Sequence, residues 1–175
     1  MVNKMSIYEK TFTRPNGKKI TGTQVIDIVS KYIMSEPDAS YELTIGTDSQ
    51  SFADCTKIVE VIALHRTGRG GIYFYNIERI PKVQSLRQKI YEETTRSLNI
   101  ADGLLVDVEV ILEENGINID EDIDIKFQIH CDIGNNGKTN ELIKEITGWV
   151  TSYGYECLIK PDSWTANSIA DKYSK

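Results

Sequence analysis

Apolar and polar positions alternate over residues 41–48, where Tyr41, Leu43 and Ile45 oppose Glu42, Thr44 and Gly46. A period of two predicts a strand with one buried face. Residues 56–66 are rich in Ile and Val, and residues 72–80 carry Tyr73, Phe74 and Tyr75. Gly68, Gly70 and Gly71 lie between these runs, so they read as a hairpin. Elsewhere the period lengthens. Val25, Ile28, Val29 and Ile33 recur at helical spacing, after Thr21 with Gln24 as its capping-box partner. Glu36-Pro37-Asp38 ends that helix. A second helical region covers residues 83–115, with a break expected near Asp102-Gly103. Strands follow at 125–132 and 155–160. Helices are predicted at 139–153, stopped by Gly154, and at 163–173, capped by Asp162 or Ser163.

The resulting order is βββ-α-β-α-β-α. It predicts an α/β fold with a five-stranded mixed sheet, strand order 3-2-1-4-5, and helices on both faces. Residues 1–38 form a small turn-helix appendix, with Asn16-Gly17 as its turn. Residues 39–175 are the domain proper, and the length suits one core. Apolar residues make up 40% of the chain, too many for disorder. No apolar run is long enough to span a membrane, and residues 1–10 contain no signal-peptide core. The cysteines are Cys55, Cys131 and Cys157, no two close in sequence. They indicate neither a disulfide framework nor a zinc knuckle, and a reducing cytoplasm is the expected location. Net charge is −6. That argues against a general nucleic-acid coat but allows an enzyme that grips nucleic acid through a local patch and metal ions.

Candidate chemistry gathers at strand ends. Asp48 ends the first strand and Asp132 the fourth, each on the even-numbered row opposite the apolar one. Parallel neighbours lie about 5 Å apart, so both carboxylates would share the carboxyl end of the sheet, where α/β folds bind ligands. Two such charges repel unless a cation or proton intervenes. Either aspartate alone reads better as a turn residue, Asp48 in an Asx turn with Gln50. Glu93 falls in the gap of a stripe formed by Leu86, Ile90, Ser97, Ile100 and Leu104, a costly position without a partner or metal. Taken alone, it fits an ion pair with an Arg or Lys at the core edge equally well. Its neighbour Glu92, with Ser85, Lys89, Arg96 and Asn99, reads as a solvated face. Asp171, in Asn167-Ser168-Ile169-Ala170-Asp171, and Asp162 are candidates for a fourth acid. In the loop after Asp132, Lys138 and the helix start at Thr139 form a candidate phosphate seat.

The succession of Asp48, Glu93, Asp132 and an Asp-bearing last helix resembles the ribonuclease H superfamily. Asn-x-x-Ala-Asp at 167–171 is similar to the segment carrying the last acid of ribonucleases H. Gly46-Thr47-Asp48-Ser49-Gln50, His130-Cys131-Asp132-Ile133-Gly134 and Lys160-Pro161-Asp162-Ser163 resemble the bacterial ribonuclease-H-like YkuK family over nearly the whole chain. The sequence departs from true ribonucleases H in lacking their glycine-rich turn after Asp48. It also lacks their histidine loop, where Asp162 stands. The resemblance implies two-metal hydrolysis of phosphodiester bonds in RNA or DNA. Asp48 would bridge two Mg²⁺ or Mn²⁺ ions, with Glu93, Asp132 and Asp171 completing the shell, a hard oxygen donor set suited to those ions.

Two other functions stay open. One is a non-catalytic module on the same fold, binding nucleic acid or a protein. The other is a P-loop-like NTPase, because Gly137-Lys138-Thr139 matches the end of that motif. Asp132, however, stands where its first glycine belongs. His65 reads as structural, and His130 as core or support for the site. Tyr73, Phe74 and Tyr75 read as sheet packing or base-stacking groups. Arg66, Arg69, Lys82, Arg87 and Lys89 read as a basic rim or as ordinary surface charges.

Overall fold

The computed structural model describes residues 6–134 and 140–175. After a 3-10 turn at Ile7–Glu9, seven strands form one sheet: β1 (Thr11–Thr13), β2 (Lys19–Thr21), β3 (Ser40–Ser51), β4 (Cys55–Arg66), β5 (Gly71–Pro81), β6 (Asp124–His130) and β7 (Glu156–Leu158). Their order is β2-β1-β5-β4-β3-β6-β7. The sheet is therefore mixed, as the sequence predicts, but it has seven strands in place of five, and the order differs accordingly. The residues read as a bare turn form a hairpin that joins the sheet through Thr13 opposite Tyr75. β3, β4 and β5 are an antiparallel meander, whereas β3–β6 and β6–β7 are parallel.

Helices α1 (Gly22–Ser35), α2 (Leu86–Glu114), α3 (Ile119–Asp122) and α4 (Asn140–Ser152) connect these strands. Thr21 caps α1, and Thr21 and Gln24 exchange the two bonds of a capping box. The main core lies between α1, α2, α4 and one face of the sheet, where Leu43, Ile45, Ile62, Leu64 and Ile129 are buried. Each such side chain contributes roughly 2 kcal/mol of burial. The alternate residues Val59, Val61 and Ala63 face the other side and pack on Ala170. β4 is thus covered on both faces, which explains its nearly continuous apolar run. α2 is unbroken. A Cβ at Gly103 would lie 2.8 Å from Ile7 Cγ2, so the glycine admits the 3-10 turn against the helix and does not interrupt it.

The closing segment is a π-helical turn, Thr165–Ala170, running into α5 (Asp171–Ser174). It crosses β3 at Gly46, where a Cβ would lie 2.7 Å from the Ala166 backbone nitrogen. Thr44 and Thr165 share a hydroxyl hydrogen bond of 2.6 Å one step earlier. Neither expected cap operates: no side chain caps the π-turn, and Ser163 Oγ is buried without a partner among the described residues. The close crossing at Gly46 brings the end of the segment over Asp48. No helix among the described residues is long and apolar enough to cross a membrane.

Candidate functional site

The parallel register of β3 and β6 ends at Gly46 opposite His130. Asp48 and Asp132 each follow two residues later, so both reach the same end of the sheet. Along β3, alternate side chains address opposite layers. Thr47 and Ser49 face α2, where Thr47 shares a 2.8 Å hydrogen bond with Ser97 and Ser49 donates one of 2.6 Å to Glu93 Oε1. Asp48, between them, faces the closing segment, and Ser174 Oγ donates to its Oδ2 at 2.6 Å. Asp48 and Glu93 therefore approach the strand end from opposite faces.

Both are buried, 5% and 7% exposed, enough to destabilise their ionised forms. Burial pushes the Glu93 carboxyl up to about 8. Asp48 and Asp132 add to the shift, and Ser49 and Lys89 oppose it. Burial also raises Asp48. Ser174 and Lys89 counter the rise, and Asp132 and Asp171 reinforce it. The four acids expected from the sequence thus act electrostatically on one another. Asp132 Oδ1 lies 2.9 Å from Lys160 Nζ, an ion-pair contact without hydrogen-bond alignment, and this buried oxygen has no hydrogen-bond partner among the described residues. Asp171 is more exposed and pairs with Lys175 at 2.8 Å. Asp162 is exposed in the turn after Lys160. It is not among the main influences on either Asp48 or Glu93, whereas Asp171 is among those on Asp48.

As a test for a metal, the donor set is hard and anionic, and one buried oxygen of Asp132 has the Lys160 ion pair but no hydrogen bond among the described residues. A crevice of about 10 Å³, bounded by Thr47, Glu93, Ser97 and Asp132 among others, separates two of the acids. Among the described residues, however, no three acidic, histidine or cysteine side chains are grouped tightly enough to hold one ion. Ser49, Ser174 and Lys160 satisfy the carboxylates instead. The chemistry fits a divalent cation, and binding one requires these hydroxyls and the ammonium to yield.

Other expectations divide. Lys138 and Thr139, and with them the P-loop-like motif, lie outside the described residues. His130 is a core residue. Its Nδ1 accepts the Thr165 backbone N–H at 3.1 Å, leaving Nε2–H to donate to Gln128 Oε1 at 3.1 Å. Burial lowers its pKa to about 4, so it stays neutral and anchors the closing segment. Phe74 is core, Tyr75 is stacked by Tyr173 at 3.9 Å, and Tyr73 bonds the Tyr173 hydroxyl at 2.9 Å. Of the cations read as a basic rim or as surface charges, Arg66 and Arg69 both pair with Glu36 and Arg87 pairs with Glu145, whereas Lys89 acts on Asp48 and Glu93.

The solvated face expected around Glu92 and Arg96 is in fact a buried ion network. Glu60 Oε1, fully buried on β4, accepts from Lys10 Nζ and Arg96 Nη1, each at 2.8 Å. Arg96 also holds Glu78 at 2.5 Å and Glu92 at 2.7 Å. The one sequence signal was Glu60 within the otherwise apolar run Ile58 to Leu64. A cleft of about 690 Å³ adjoins this network between β5 and the start of α2. It contains none of the four acids, so its size does not make it the reactive site.

The ribonuclease H-like family model matches residues 24–175. A Bacillus subtilis (strain 168) protein, named Uncharacterized protein YkuK, is 39% identical over 165 residues, covering 90% of this chain and 92% of that one. No solved structure matches the chain.

Proposed function

The chain belongs to the ribonuclease H-like family, and from that premise we propose that it hydrolyses phosphodiester bonds of RNA or DNA with two Mg²⁺ or Mn²⁺ ions. Asp48, Glu93, Asp132 and Asp171 would hold the metal. The observation that carries this reading is the pair of buried carboxyls, Asp48 and Glu93, both raised in pKa beside Asp132 at the ends of parallel strands. Groups held away from their preferred charge state are costly to stability and concentrate at functional sites. When bound, divalent ions would supply Lewis-acid activation of a water and neutralise charge at the leaving oxygen.

The protein's own contribution is positioning. Ser49 and Ser174 hydrogen-bond one oxygen each of Glu93 and Asp48, which orients the carboxyls, and both bonds would have to yield to a bound cation. Lys160 balances Asp132, a role that a bound divalent ion would take over. Gln50, Lys57 and Arg79 form a row across β3, β4 and β5, one step beyond the row of Asp48, Val59 and Ile77. That row shares the face of Asp48. Ile77 is exposed, and Arg79 lies over the Phe52 ring at 5.6 Å. Cations beside apolar and aromatic surface suit a nucleic-acid strand led toward the acids. Purified protein should cut RNA or DNA with Mg²⁺ or Mn²⁺, and Asp48→Asn should abolish cutting.

A second reading is a binding module that has kept the fold without the reaction. It is favoured by the hydroxyls and ammonium that already satisfy the acids. Turnover lost in both Asp48→Asn and Asp132→Asn would exclude it.

A further inference from the structure

The fold brings together two cysteines that are 26 residues apart in sequence. Cys131 immediately follows β6, and Cys157 is the middle residue of β7. Ile129 pairs directly with Cys157, so Cys131 is its diagonal neighbour on the same face of the sheet. The Cys131 backbone N–H donates to the Leu158 carbonyl at 2.9 Å, fixing the two chains side by side at that point. The two sulfurs lie 3.9 Å apart. Neither belongs to a disulfide. Cys131 is buried and Cys157 is only partly so. The third cysteine, Cys55, begins β4, two strands away from β6.

We propose that Cys131 and Cys157 are an oxidisable dithiol, with a peroxide as the oxidant, and that their disulfide staples β6 to β7 directly behind Asp132. Sulfurs at this distance need close by only about 2 Å to reach bonding length, and both side chains lie on the same face of paired strands. Cys157 is the more accessible thiol, and Cys131 beside it favours its thiolate, the form that attacks peroxide. In the first step the Cys157 sulfur attacks one peroxide oxygen. The O–O bond breaks, and hydrogen peroxide yields a sulfenic acid and water. In the second step the Cys131 sulfur attacks the sulfenic sulfur, the S–O bond breaks, and the hydroxyl leaves as water with the Cys131 proton. Two thiols and one peroxide give one disulfide and two waters. A reducing dithiol reverses the change by exchange. The dithiol is independent of what the acid cluster binds. Its consequence for that cluster comes from position, since Cys131 and Asp132 border the same crevice with Glu93.

The test treats the full chain with a small excess of hydrogen peroxide, then alkylates free thiols and maps peptides by mass. The expected product has lost two hydrogens, carries a Cys131–Cys157 cross-link, keeps Cys55 alkylatable, and returns to three free thiols with dithiothreitol. It should melt higher than the reduced protein, because the bridge joins strands already paired. Cys131→Ser should instead trap an extra oxygen on Cys157, showing which sulfur reacts first even if a double variant folds poorly. Three free thiols persisting in native protein would overturn the proposal. So would a bridge to Cys55, or a Cys131–Cys157 bridge that lowers the melting temperature.

Discussion

Replacing Glu93 by Gln should stabilise the metal-free protein at pH 8 and slightly destabilise it at pH 4.5. The Glu93 carboxyl has its pKa pushed up from 4.5 to about 8 in the folded chain, chiefly by burial. Between those values the folded state binds a proton that the unfolded state has released, so stability falls as pH rises through the window. Below pH 4.5 both states are protonated and the penalty vanishes. Above pH 8 both are ionised and it stops growing. At 1.36 kcal/mol per pH unit the full penalty is about 5 kcal/mol, of which about 4 kcal/mol has developed by pH 8. The amide removes it, keeps an oxygen to accept from Ser49, and adds an N–H₂ group with no assured partner, a cost of about 1 kcal/mol. The net gain at pH 8 is then about 3 kcal/mol, or roughly 6–12 °C for a chain of this length. Asp48 is raised in both proteins and largely cancels in the difference. The assay is thermal unfolding of wild type and Glu93→Gln in EDTA, from pH 4.5 to 8.5. A melting-temperature difference that does not change with pH, or a variant less stable than wild type at pH 8, would refute the reasoning. Either result would mean that Glu93 is an ordinary ion-paired carboxylate.

Three further outcomes are expected. Arg96→Met strands the buried Glu60 with Lys10 as its one remaining cation, which should cost about 3–5 kcal/mol in urea unfolding and leave divalent-metal binding intact. Ser174→Ala removes the hydroxyl that steadies ionised Asp48, so it should cost about 1–2 kcal/mol at pH 7. Because that bond holds the Asp48 pKa down, the cost should shrink below the carboxylate range. Lys57→Ala with Arg79→Ala should weaken nucleic-acid binding by fluorescence anisotropy and reduce its salt dependence by about two phosphate contacts, with metal-induced stabilisation unchanged.

The strand ends were legible because a period of two fixes both the face and the reach of a side chain. Asp48 and Asp132 therefore followed from sequence alternation and the parallel connection. Glu93 followed from its place in the apolar stripe of α2. The N-terminal strands were not legible: Thr11–Thr13 and Lys19–Thr21 are too short to show a period. Their place in the sheet depends on a non-local pairing to Tyr75. Arg96 misled for a related reason. Its partner Glu60 lies on another element, as does Lys10, and only the tertiary structure shows that a charged helical face is buried against them. The hydroxyls of Ser49 and Ser174 carry no pattern that separates them from other serines. The contact of Cys131 with Cys157 likewise arises from strand register, which cysteine spacing does not encode.

The central claim, that these carboxylates share divalent metal, is tested most directly by thermal melts across a Mg²⁺ and Mn²⁺ series at neutral pH. Wild type, Asp48→Asn and Asp132→Asn would be compared, with EDTA as the reference. A ligand that binds only the folded state adds about 2.7 kcal/mol at a hundred times its dissociation constant. The wild-type melting temperature should therefore climb with millimolar metal. Asp132→Asn should start higher in EDTA, because one repelling charge is gone, and gain much less from metal, as should Asp48→Asn. A wild-type protein whose melting temperature does not move with either ion, or two variants that gain as much as wild type, would contradict a shared metal site.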